Sequence, residues 1–115
     1  AVLAMLAAPA AAQVWDCDGR DELPQQGINF CLGQDHAFWD NILNNAYQQV
    51  IAIRDPVAEE RLGAAPRAWI TYRDATCAME ADRMRGGSGE AMLRFGCLAR
   101  LTERRARDLE NYLRN

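Results

Sequence analysis

From Asp35 to Ile53 the apolar residues Phe38, Ile42, Leu43, Ala46, Tyr47, Val50 and Ile51 recur three and four apart. That period gathers them on one stripe and predicts an amphipathic helix. Asp55-Pro56 then reads as a restart, with an Asx N-cap and proline at the first helical position. Glu59 and Glu60 suit the positive end of that helix dipole. Gly63-Ala64-Ala65-Pro66 interrupts the pattern. Proline removes a helical hydrogen bond and crowds the preceding turn, so either a new helix begins near Pro66 or a long helix kinks there. Helical spacing of Trp69, Ile70, Tyr72, Arg73, Thr76 and Cys77 continues from Arg67 to about Asp82. The third main helix is expected from Glu90 to about Leu113, with Ser88 or Gly89 as its cap. Its inner face would carry Leu93, Cys97, Leu98, Leu101, Leu109 and Tyr112. Arg104–Asp108 and Glu110–Arg114 have the i,i+4 spacing of solvated ion pairs. Gln13 to Gly33 holds turn residues and acids with no clear period, so an irregular segment with one helical turn before Cys31 is expected. No stretch alternates, and no sheet is expected. The predicted class is all-α: a small antiparallel helical bundle of three main helices plus a short N-terminal segment.

A chain of 115 residues is one domain by size, and half hydrophobic with a quarter charged is ordinary globular composition. The net charge of −3 argues against nucleic acid as a partner. All 13 basic residues are arginine. One histidine (His36) and one serine (Ser88) leave no material for most Ser/His/Asp constellations or for a multi-histidine metal site. The charge is uneven. Residues 13 to 60 carry nine acids and two arginines, net −7, and residues 61 to 115 carry seven acids and eleven arginines, net +4. The two halves either neutralise each other across one core or present a two-faced surface that orients a charged partner.

Residues 1 to 12, AVLAMLAAPAAA, are uncharged and end in Ala10-Ala11-Ala12 before Gln13. This reads as the remnant of a signal peptide, which places the working domain at residues 13 to 115 and the protein in the periplasm or outside the cell. Twelve apolar residues fall short of the roughly 20 that span a bilayer, so an integral membrane protein is not expected. A lipoprotein would need cysteine where Gln13 stands.

Four cysteines, Cys17, Cys31, Cys77 and Cys97, read as a disulfide framework in a short exported chain. Their spacing does not suit zinc, and no metal or other cofactor is expected. Gly86-Gly87-Ser88-Gly89 looks like a turn between two helices, with Cys77 about ten residues before its centre and Cys97 about ten after. Equal distances from the turn of an antiparallel hairpin bring two residues level. Cys77–Cys97 is therefore expected, which leaves Cys17–Cys31. Each closes a loop worth ~3 kcal/mol in the chain-entropy estimate.

Three ordered motifs carry a resemblance. Asp40, Leu43, Asn44 and Tyr47 have the spacing of a D-x-x-L-N-x-x-Y signature. Arg67, Trp69, Tyr72, Arg73, Asp74 and Cys77 follow R-x-W-x-x-Y-R-D-x-x-C. Gly87-Ser88, Cys97-Leu98, Thr102, Arg105 and Leu109 complete a similar tail. Together they resemble the DUF1311 family, the lysozyme inhibitor LprI-like N-terminal domain, over about residues 17 to 113. The chain departs from the family at Pro66, where glutamine usually precedes the Arg-x-Trp motif. The resemblance implies a small exported helical domain with two disulfides, and a non-enzymatic protein that binds a protein partner such as a lysozyme. The alternative is an envelope scaffold or adaptor that binds another protein or peptidoglycan without inhibiting anything.

The candidate residues each have a plainer role. Trp69, Arg73 and Cys77, four apart on one face, suit a binding stripe. They equally suit core, a charge pair and a staple. Asp40 and Asn44 could contact a ligand, but an aspartate on the first helix satisfying Arg73 or Arg105 is simpler. His36 near a helix start reads as a surface or capping residue. Paired carboxylates such as Glu59/Glu60 and Glu80/Asp82 lack the cleft that glycosidase chemistry needs, so no catalytic residue is assigned. The loop Arg83 to Gly89 is either a glycine turn or a thin cationic probe for an acidic cleft, with Arg83, Arg85 and Ser88 as its contacts.

Overall fold

The computed structural model describes residues 14–52 and 55–115, so the expected leader at residues 1 to 12 lies outside the described residues. A 3-10 segment, Cys17–Glu22, precedes three helices: α1 (Gln25–Ala52), α2 (Pro56–Ala81) and α3 (Ser88–Arg114). A second 3-10 turn, Asp82–Met84, follows α2 directly. No strand occurs among the described residues, and none of their helices is long and apolar enough to cross a membrane.

Helix α1 begins ten residues before the expected start at Asp35. The stretch through Gly27 and Gly33 was expected to be irregular, yet both glycines sit inside the helix. Gly27 is there because of a neighbour. A β-carbon on it would lie 3.0 Å from the Trp15 indole and 3.0 Å from Leu23 Cβ, so the missing side chain lets the N-terminal segment lie against α1. Tertiary approach outweighs the low helix propensity of glycine.

Helix α2 settles the alternatives at Pro66. It is one helix with Pro66 inside it, and its start is as expected: Asp55 Oδ1 accepts from the Ala58 amide at 2.9 Å, with Pro56 in the first turn. The cap of α3 is Gly87 rather than Ser88 or Gly89, and no side chain caps it. The charged pairs on α3 also differ from those expected. They are Glu90–Arg94 and Glu103–Arg107, while Arg114 donates to Asn111 instead of reaching Glu110. Tyr112, expected on the inner face, is 45% exposed.

Consecutive helices run in opposite senses. Arg73 meets Thr102 and Cys77 meets Cys97, so α2 and α3 are antiparallel. Asn29 meets the Ser88 carbonyl and Tyr47 meets Arg105, so α1 and α3 run parallel. Helix α3 is the shared partner, packing most extensively on α1 and then on α2, which touch each other little. The core lies toward the C-terminal halves of α1 and α3. Leu43, Ala46, Tyr47, Val50, Ala106 and Leu109 are buried there, with Trp39, Ile42, Leu62, Trp69 and Leu113 packed around them. Both expected disulfides are present, Cys17–Cys31 and Cys77–Cys97.

Candidate functional site

At the middle of the bundle the three helices converge on Arg73, which is only 8% exposed. Trp69 precedes it by one turn on α2, and the guanidinium carbon lies 5.1 Å from the indole ring centre, within cation–π range. Nε donates to Asp74 Oδ1 at 2.9 Å. From α1, Asp40 Oδ1 stands 3.6 Å from Nη1 of Arg73, and His36 Nε2 lies 3.4 Å from the same nitrogen. From α3, the hydroxyl of the wholly buried Thr102 accepts from Nη1 at 3.5 Å. One side chain thus gathers polar groups from all three helices, and no buried side-chain polar atom among the described residues is left without a partner.

The expected Asp40–Arg73 pair is therefore formed. Arg105 is not its alternative partner: its Nε donates to the Tyr47 hydroxyl at 3.0 Å, two turns further along the core. His36 is not a surface or capping residue but part of the Arg73 junction. An arginine can only donate, so Nε2 must accept, which requires the neutral imidazole with its proton on Nδ1. Burial, and then the charge of Arg73, hold the His36 pKa below its ordinary value; Asp40 and Asp74 oppose this more weakly.

The remaining motif residues separate by burial. Leu43 and Tyr47 belong to the core, Trp69 packs on its edge, and Asn44, Arg67 and Asp74 face solvent. The Arg67 carbonyl accepts from the Thr71 hydroxyl at 3.1 Å. A second cation–π contact links Arg107 on α3 to Trp39 on α1 at 5.1 Å. The pair has no local signal, since the two residues are far apart in sequence and meet only because α1 and α3 run parallel.

The loop after α2 is less cationic than its arginines suggest. Arg85 donates to Asp82 Oδ1 at 2.6 Å, and Glu90 Oε2 accepts from the Gly86 amide at 3.1 Å. Asp82 and Glu90 thus offset Arg83 and Arg85 locally, a balance missed because the acids stand just outside the loop. Arg83 is exposed. Gly86 has φ of 84°, a left-handed conformation that glycine takes without strain, so it turns the chain between α2 and α3. The Ser88 carbonyl, not its hydroxyl, makes the contact here, accepting from Asn29 at 3.3 Å. Among the described residues no group of three His, Cys, Asp or Glu side chains could hold a metal ion.

Among the grooves that the described residues form, two bear on function. One, of about 310 Å³, is lined by Val50, Leu62, Arg105, Asp108, Leu109 and Tyr112 at the apolar end. The other, of about 460 Å³, lies between the N-terminal segment, α1 and α3 and is lined partly by Trp15, Phe30 and Phe95. Local patterning offers little sign of the second, because Trp15 and Phe30 fall in the stretch expected to be irregular.

A family model described as Lysozyme inhibitor LprI matches residues 17–109. That span takes in all four cysteines, the Arg73 junction and the glycine loop. An uncharacterised protein of Rhizobium meliloti (strain 1021) is 38% identical over 119 aligned positions, which cover 92% of this chain and 86% of that protein. No solved structure matches significantly.

Proposed function

We propose, from the premise that the chain belongs to the lysozyme inhibitor LprI family, that it is an exported, non-enzymatic protein that binds a lysozyme. The observation that carries this reading is the family match over residues 17–109. Two disulfides in so short a chain support an oxidising compartment, the periplasm or the exterior. The Arg73 junction supports a role in holding the helices together, because its groups satisfy one another and leave little that could work on a substrate. Contact with the enzyme then falls to the surface.

The loop from Arg83 to Gly89 is the proposed contact. Arg83 stands exposed and outside the loop's ion pair, and Gly86 and Gly87 let backbone approach a cleft closely. Arg83 would meet a cleft carboxylate directly, while Arg85 would have to leave Asp82 first. Residues 13 to 60, net −7, would speed encounter with a basic enzyme, an effect that salt screens.

The test is inhibition of cell-wall lysis by the oxidised protein against a panel of lysozymes, repeated with Arg83→Ala/Arg85→Ala. The parent should inhibit at least one enzyme, and added salt should slow association more than it changes dissociation. The double variant should remain folded and lose inhibition. Full inhibition by that variant removes the loop from the mechanism. No inhibition by the parent of any lysozyme refutes the reading and leaves the adaptor role.

A further inference from the structure

The groove beside the N-terminal segment carries chemistry that the lysozyme reading does not use. Trp15, Phe30 and Phe95 line it together with Gln26, Gln34 and Gly33. Among the described residues no charged side chain lines it, although a quarter of the chain is charged. A β-carbon on Gly33 would stand 4.0 Å from the Phe95 ring, ordinary contact distance, so this stretch of α1 lies directly in front of that ring.

The elements around it are fixed. The Cys17–Cys31 disulfide ties the N-terminal segment to α1, and Arg20 adds a two-point ion pair with Asp35, at 2.5 and 3.3 Å. Trp15 lies against Gly27 at the head of the groove. Asn29 also lines the groove, but it is engaged with Gln25 at 2.9 Å and with the Ser88 carbonyl at 3.3 Å. Gln26 and Gln34 are exposed and hold their amides in none of these contacts.

We propose that this groove binds a short, uncharged pyranose oligosaccharide. Each feature of the lining corresponds to a feature of such a ligand. Aromatic side chains take the apolar C–H faces of sugar rings, and a primary amide offers a donor and an acceptor together, as hydroxyl and N-acetyl groups require. The described lining offers an ionic group no opposite charge to pair with, while its rings and amides can meet the C–H faces and hydroxyls of a neutral polar ligand. Gln26, Phe30 and Gln34 follow one another at i,i+4 along α1, so the backbone positions of the two glutamines stand about 12 Å apart with Phe30 between them. That span suits linked rings rather than a single one. The groove is open and shallow, so binding in the millimolar range is expected.

The experiment is a titration of the ¹⁵N-labelled, oxidised protein, followed by NMR. One arm uses an N-acetylglucosamine trimer and a second uses a glucose trimer of the same linkage. Saturable shifts are expected at the Trp15 indole, the Gly33 amide and the side-chain amides of Gln26 and Gln34. Saturation by the first sugar alone assigns the N-acetyl group as the recognised feature, and saturation by both assigns the ring. Gln26→Ala/Gln34→Ala should weaken binding at least tenfold without changing the melting temperature, since both residues are exposed. Absence of saturable shifts with either sugar, or unchanged affinity in the double variant, overturns the proposal. So does a double variant that loses lysozyme inhibition while the parent binds neither sugar, because the groove would then be a protein contact. The proposal does not rest on the lysozyme reading: a parent that binds sugar and inhibits no lysozyme leaves it standing.

Discussion

Where α3 begins, two disulfides tie down α1 and α2, and Cys31, Cys77 and Cys97 are among the most buried side chains of the molecule. Large apolar residues at that end, such as Phe30, Leu32 and Phe95, are only partly covered. At the opposite end no covalent link is present among the described residues, and the six buried residues from Leu43 to Leu109 hold the helices instead. The Arg73 junction lies between the two. The contrast shows what a small domain does when it cannot bury enough apolar volume along its whole length. One end closes by hydrophobic packing, and the other is cross-linked, which restricts the unfolded chain more than it adds contacts. The cross-linked end also leaves aromatic surface uncovered, and there the larger groove opens.

If packing dominates the apolar end, Leu43→Ala should lower the unfolding free energy by about 3.5 kcal/mol, in the range of large-to-small core changes. Leu32→Ala at the cross-linked end should cost less than half of that. Urea unfolding of both variants checks the ranking, and equal losses would erase the distinction between the ends.

Cys77→Ser/Cys97→Ser should cost about 3 kcal/mol by the chain-entropy estimate. Amide exchange should report where that loss falls. Protection should drop in the first half of α3 and at the end of α2, and persist around Ala106 and Leu109. Uniform loss of protection would mean that the two ends unfold as one unit.

Arg73→Met keeps most of the aliphatic stem while removing the polar contacts to Asp74, His36 and Thr102. A loss of about 2 kcal/mol is expected, as for a network of charge-assisted hydrogen bonds. The His36 pKa should also rise, since the arginine charge helps to depress it. Unchanged or increased stability would show that the junction fixes helix register and adds nothing to stability.

The smallest effect concerns pH. The folded protein holds the His36 pKa below its ordinary value, chiefly by burial. The unfolded chain therefore takes up a proton first as pH falls. The contribution is fully present above the ordinary histidine range, at about pH 6.5, and is lost as pH drops through that range toward the folded value. His36 is the one histidine in the chain, so His36→Gln isolates the effect. Melting temperatures between pH 8 and pH 5 should fall more for the parent than for the variant. Parallel curves would show that the imidazole is not coupled to folding.

The sequence alone settled what depends on local spacing. Apolar residues three and four apart made α1 from Asp35 onward and much of α3 legible. Asp55-Pro56 marked the start of α2, and the symmetric placement of Cys77 and Cys97 about a glycine turn gave the pairing. Each signal lies within a few residues or about one turn. Tertiary structure decided the rest. Helix α1 extends back to Gln25 because Trp15 and Leu23 pack against Gly27, an approach that no helix propensity contains. Arg105 bonds Tyr47 rather than an acid, and His36 enters the Arg73 junction, because parallel packing of α1 on α3 sets which turns face each other. The groove at Trp15 has the same origin. Its aromatic residues come from three separate segments, and only the packing of those segments and the Cys17–Cys31 bond brings them to one place.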